Sequence, residues 1–96
     1  MMILLTYDVD FSTDNGKKRL RKVAKLCERY GVRVQNSVFE MLVDSMQLAV
    51  LRNEIINLID IKLDSVRIYK FSQKRINNVE IIGLEKGFKQ EETIVI

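Results

Sequence analysis

With 96 residues, 47% of them hydrophobic and 30% charged, the chain has room for one domain that buries roughly 60–65% of its unfolded surface. It contains no His, which excludes Ser–His and Cys–His catalysis and the usual zinc hydrolase sites, and leaves metal chemistry to oxygen ligands and a hard cation such as Mg²⁺ or Mn²⁺. A single Cys, Cys27, excludes an internal disulfide framework and suits a reducing cytoplasm, while a net charge of +3 is a mild basic bias whose distribution matters more than its size.

The chain opens with Ile3-Leu4-Leu5-Thr6-Tyr7, a run that reads as a buried strand and ends abruptly in Asp8 and Asp10. The run is too short, and too soon interrupted by Asp8, for a signal peptide or a membrane span. Open sheets tend to carry their chemistry at the carboxyl ends of strands, so Asp8 is either a site residue or a turn former. Ser12-Thr13-Asp14-Asn15 supplies N-caps for a helix from about Gly16 to Tyr30. Leu20, Val23, Ala24, Cys27 and Tyr30 form its apolar arc, and Gly31 stands where a left-handed residue would end it.

Half of the Lys and Arg residues lie between positions 17 and 33, with Glu28 as the only acid in that window. Lys17, Lys18, Arg21, Lys22, Lys25 and Arg29 fall opposite the apolar arc, and a stripe of one sign favours a phosphate-bearing partner. Arg19 lies on the flank of the arc and is placed to reach towards the sheet. Cys27 reads as a small core residue.

Val32 to Val43 is about twice the commonest strand length, and Asn36-Ser37 divides it into strands Val32 to Gln35 and Val38 to Val43, with a bend or bulge between them. Val38, Glu40 and Leu42 face one way, and Phe39, Met41 and Val43 the other, so both faces of the sheet need cover. Asp44-Ser45 caps a second helix to about Ile59, with Leu48, Leu51, Ile55, Leu58 and Ile59 inward. Val66 to Phe71 is another strand, Lys74 and Arg75 lie in a polar loop, Val79 to Leu84 reads as one more strand, and Thr93-Ile94-Val95-Ile96 is an apolar tail.

The order β-α-β-β-α-β is the ferredoxin-like arrangement, an α+β sandwich with both helices on one face of an antiparallel sheet. Residues 1–71 form the core domain and 72–96 a tail. An extra edge strand and an open sheet face are covered together by a second copy of the chain, so a homodimer is expected. Mg²⁺ uses one or two carboxylates with waters and phosphates, and a two-fold axis near the first strand end would bring two copies of Asp8 together.

The chain resembles the CRISPR-associated Cas-two family, small metal-dependent nucleases of the adaptation module. The resemblance is carried by Leu5-Thr6-Tyr7-Asp8-Val9, by Lys18-Arg19-Leu20-Arg21-Lys22-Val23-Ala24-Lys25, and by Tyr30-Gly31-Val32-Arg33-Val34-Gln35-Asn36-Ser37-Val38-Phe39-Glu40. Leu58-Ile59-Asp60 and Asp64-Ser65-Val66-Arg67-Ile68-Tyr69 continue it to Phe71, and Asn36 and the length look most like the version from type I systems of subtype C. Met41 stands where many relatives carry Cys, a departure that touches packing.

The resemblance implies a ferredoxin-like homodimer whose tail strand packs on the partner. It also implies an Asp8 that binds one Mg²⁺ or Mn²⁺ jointly with its mate, and Arg19, Arg33 and Phe39 close to that catalytic site. The implied partners are the Cas-one integrase, which the dimer bridges, and double-stranded DNA held on the basic surface, with single-stranded RNA as a further substrate. A free-standing toxin-like endoribonuclease of the same fold, a non-catalytic scaffold, and a regulatory module that binds a small molecule are the alternatives. The one-sign helix speaks against the last of these.

Overall fold

The structure, a computed structural model, describes residues 1–72 and 79–87. Six elements follow in the order β1 (Met2–Asp8), α1 (Asp14–Tyr30), β2 (Gly31–Gln35), β3 (Val38–Leu42), α2 (Ser45–Leu58) and β4 (Ser65–Phe71). The strands form one sheet in the order β2-β3-β1-β4, and every neighbouring pair is antiparallel. β1 and β2 therefore run parallel with β3 inserted between them, which is the split β-α-β crossover of the expected ferredoxin-like fold.

Alternation along β1 sets the layers. Ile3, Leu5 and Tyr7 are buried and join Phe39 and Met41 of β3 against Val23, Leu26 and Cys27 of α1 and Leu48, Leu51 and Ile55 of α2. Both helices thus cover one face. Leu4, Thr6 and Asp8 point to the other face, opposite Glu40 and Val38 on one side and Tyr69, Arg67 and Ser65 on the other. Neither α1 nor α2 covers that face, and Leu42 and Tyr69 remain exposed on it.

Local chemistry fixes the element ends. Thr13 caps α1, its Oγ1 accepting the Gly16 N–H at 3.1 Å, so the helix begins at Asp14, ahead of the expected Gly16. Asp44 and Gln47 form a capping box at α2, with Asp44 Oδ1 accepting the Gln47 N–H at 2.7 Å and Gln47 Oε1 accepting the Asp44 N–H at 2.9 Å. The expected interruption between the two middle strands is a turn at Asn36-Ser37 together with a register shift between Arg33 and Gln35. Leu26, left out of the expected arc, is buried where α1 meets α2.

Two expectations need correction. Gly31 is not left-handed: its φ of −162° and ψ of −163° are extended, and β2 starts there with no loop after α1. Glycine is needed for a different reason, because a Cβ at that position would run into the Glu40 carbonyl oxygen of β3. Val79 to Leu84, expected as a strand, forms no ladder among the described residues, and Ile82 is 91% exposed. A strand needs the N–H and C=O groups of a neighbour, and this segment pairs with none of the four strands. Its end returns to the open face, where Gly87 lies against the Glu40 carboxylate. The Lys74–Arg75 loop and the tail from Thr93 to Ile96 lie outside the described residues.

Candidate functional site

Asp8 is the last residue of β1 and is exposed on the uncovered face, Cα-paired with Ser65 at the start of β4. The backbone on either side of it is held. Before it, the Tyr7 N–H donates to the Ser37 carbonyl at 3.0 Å and the Tyr7 hydroxyl donates to the Asn36 carbonyl at 3.3 Å, which ties the strand end to the turn between β2 and β3. Burial raises the Tyr7 phenol above its ordinary value, with Arg33 opposing the shift, so Tyr7 is a neutral donor at neutral pH.

After Asp8, the chain is anchored through Asp10. Its N–H donates to Asp64 Oδ1 at 3.0 Å, and its carbonyl accepts from Arg19 Nη2 at 3.4 Å. Gly16 packs against the same carbonyl, where a Cβ would clash. The Asp10 side chain turns back on the loop, Oδ1 accepting the Ser12 N–H at 2.9 Å, and that bond holds its carboxyl below the ordinary value. Asp10 is therefore a turn former.

Arg19 reaches the loop as its place on the arc suggested, and it meets Asp64 there. Arg19 Nε donates to Asp64 Oδ2 at 2.8 Å, and the Asp64 side chain has no solvent exposure. Asp64 Oδ2 also accepts the Asp60 N–H at 2.9 Å. Burial pushes the Asp64 carboxyl up, but the Arg19 guanidinium and the two backbone donors outweigh it and hold the pKa below the ordinary range. A carboxyl with a depressed folded pKa stabilises the protein above its unfolded value of about 3.9, and that contribution disappears as pH falls through the folded pKa. Asp64 is thus charged and stabilising at neutral pH.

Arg33 and Phe39 occupy the other side of the sheet from Asp8. Phe39 is wholly buried, packed 6.2 Å from the Tyr7 ring between centroids, and Arg33 lies over its face at 5.3 Å. Arg33 also pairs with Glu28 at 3.5 Å, both side chains being well exposed, so that pair contributes little to stability. The structure therefore brings Arg33, Phe39 and Tyr7 together under the strand end and sets Asp8 apart from them, on the opposite face. Phe39 has no surface with which to touch a substrate.

The basic stripe is exposed along its length and divides into two rows. Lys18, Lys22, Lys25 and Arg29 line a groove of about 770 Å³ between α1 and α2, together with Asn15, Leu26 and Asn57. Lys17 and Arg21 point away from the groove, on the flank that carries Glu28. Arg29 is partly neutralised, since Nη2 donates to Glu54 Oε2 at 3.4 Å, and Glu54 Oε1 accepts the Tyr30 hydroxyl at 2.9 Å. Burial pushes the Cys27 thiol up to about 12, which leaves it inert at neutral pH.

Sequence reasoning did not single out Asp64 or Glu54 for these roles. Asp64 precedes a strand and looks like an ordinary turn residue; the available signal was Arg19, a cation on the flank of an apolar arc that lacked a counter-charge.

A ferredoxin-like domain with one free carboxylate at the end of β1 and a cationic groove between its helices is the class that these features define. CRISPR associated protein Cas2 is the family whose pattern matches residues 1–79, and the chain belongs to it. It is 50% identical to the CRISPR-associated endonuclease Cas2 of Halalkalibacterium halodurans over 95 residues, spanning 99% of each chain. It is 43% identical over 96 residues to the CRISPR-associated endoribonuclease Cas2 of Chlorobaculum tepidum, spanning all of both. Among solved structures, Streptococcus pyogenes Cas2 at pH 6.5 superimposes with a TM-score of 0.77 at 47% identity, covering 86% of this chain and all of that one. No helix among the described residues is long and apolar enough to cross a membrane.

Proposed function

We propose that the chain is a metal-dependent endonuclease of CRISPR spacer acquisition that acts as a homodimer and holds DNA on its basic helices. The observation that carries this reading is the placement of Asp8, an exposed carboxylate at a strand end on the sheet face that neither α1 nor α2 covers. Family membership and the printed activities of the relatives from Halalkalibacterium halodurans and Chlorobaculum tepidum support it.

No group of three or more His, Cys, Asp or Glu side chains among the described residues could hold a metal ion. One Asp8 fits Mg²⁺ only as a partial ligand, alongside waters, phosphate oxygens and the same residue of a second copy. Pairing two open faces covers Leu42 and Tyr69 and brings a second carboxylate to the site. When bound, Mg²⁺ supplies the charge that polarises a phosphodiester and acidifies the attacking water. The chain's own residues do the rest. Asp8 would hold the ion from a strand end fixed on both sides, the Tyr7 hydroxyl ties down the turn beneath it, and Lys18, Lys22 and Lys25 would fix the phosphate backbone.

In this reading the dimer also bridges units of the Cas-one integrase, with its helix face carrying the double-stranded DNA. The single carboxylate per chain favours a second reading, a non-catalytic scaffold with the same DNA surface. Metal removal separates the two. Purified protein is expected to cleave DNA or RNA with Mg²⁺ or Mn²⁺, to lose cleavage in excess EDTA, and to bind DNA about equally well in both conditions. DNA binding without any metal-dependent cleavage of either polymer would favour the scaffold.

A further inference from the structure

We propose that Asp64 is a positioning residue for the Asp8 site, fixing the loop that leaves the metal-binding strand end. The inference rests on the metal-site reading of Asp8 given above. Both oxygens of the buried Asp64 carboxylate are used in places that bear on Asp8. Oδ1 takes the Asp10 N–H at 3.0 Å and Arg19 Nη2 at 3.4 Å, while Oδ2 takes Arg19 Nε at 2.8 Å and the Asp60 N–H at 2.9 Å. The next residue, Ser65, is the Cα partner of Asp8 across the β1–β4 ladder. Asp64 therefore touches the Asp8 environment twice, once through the strand beside it and once through the peptide two residues after it.

The fold does not need this arrangement to set the register of β1. Seven Cα pairs with β4 and five with β3 already do so, and Ile3, Leu5 and Tyr7 lock the facing through the core. What the strand pairs cannot do is hold the chain beyond Asp8, where the ladder stops. Residues 9–13 form the link to α1, and the Asp10 peptide in that link is held at its N–H by Asp64 and at its carbonyl by Arg19. Arg19 acts through Asp64 and the loop carbonyl, so it too is a positioning residue. Outer groups that orient a metal ligand change metal affinity without touching the ion.

The test is Mn²⁺ binding by the full chain, followed by electron paramagnetic resonance, with the kinetics of cleavage measured alongside. Asp64→Ala and Asp64→Asn are expected to weaken Mn²⁺ binding by about 10- to 100-fold and to lower kcat. The KM for nucleic acid is expected to stay unchanged, because the stripe on α1 is untouched, and the circular dichroism spectrum to remain native. The amide of Asp10 is expected to lose its protection from hydrogen exchange in the same variants. Asp8→Ala serves as the reference in the titration. Should Asp8→Ala bind Mn²⁺ like the wild type, the metal-site reading falls and the inference with it. Loss of Mn²⁺ from Asp8→Ala together with wild-type binding by both Asp64 variants leaves the site standing and overturns the positioning role. Failure of both Asp64 variants to fold assigns the residue to the fold alone and likewise overturns it.

Discussion

Asp8→Ala is expected to lower metal-dependent cleavage by about a thousandfold or more while leaving the melting temperature and the DNA affinity near those of the wild type. The size follows from the several kcal/mol that a bound cation contributes to a charged transition state, at about 1.4 kcal/mol per tenfold in rate. The selectivity follows from the geometry. Asp8 is exposed, makes no contact in the core, and lies on the face opposite Tyr7 and Phe39. Surface substitutions of that kind change stability by about half a kcal/mol or less. The comparison is made by single-turnover assay on labelled DNA and RNA with Mn²⁺, with thermal unfolding of both proteins. Cleavage that survives the substitution would place the chemistry elsewhere or in a contaminant.

A second large effect is expected when most of the basic stripe on α1 is removed. Replacing Lys18, Arg21, Lys22 and Lys25 by Ala should weaken binding to double-stranded DNA and flatten its salt dependence. Each phosphate contact removed lowers the slope of log K against log salt by about 0.9, so four lost contacts change it by roughly 3–4. The wild-type protein, with two such helices in the proposed dimer, should lose about a thousandfold or more in affinity between 50 and 200 mM salt if it makes six or more phosphate contacts. Arg29 is left in place because Glu54 already occupies part of its charge. Fluorescence anisotropy across a salt series measures both slopes. An unchanged slope would mean that the stripe is only a solvated helix face.

The fold was largely legible in the sequence because its signals are local. Period-two alternation in Ile3 to Tyr7 and Val38 to Val43, the caps at Thr13 and Asp44, and the apolar arcs of both helices each depend on residues within a few positions. What escaped were contacts across long separations. Arg19 and Asp64 are 45 positions apart, and nothing near either one announces the pair. Phe39 belongs to the recognisable signature, but burial makes it a support for Tyr7 and Arg33. Gly31 looked like a helix cap because Gly after a helix usually is one, and only the approach of β3 reveals the tighter constraint. The expected strand at Val79 to Leu84 depends on a neighbour that the described residues do not supply.

That Asp8 forms a site only when shared between two chains can be decided by counting ions. Native mass spectrometry of the protein with Mn²⁺, paired with its mass in solution by light scattering, is expected to give a dimer carrying one ion per two chains. The ion should be absent from Asp8→Ala, which should remain dimeric. A monomer, one ion per chain, or an ion that survives the loss of Asp8 would contradict the shared site.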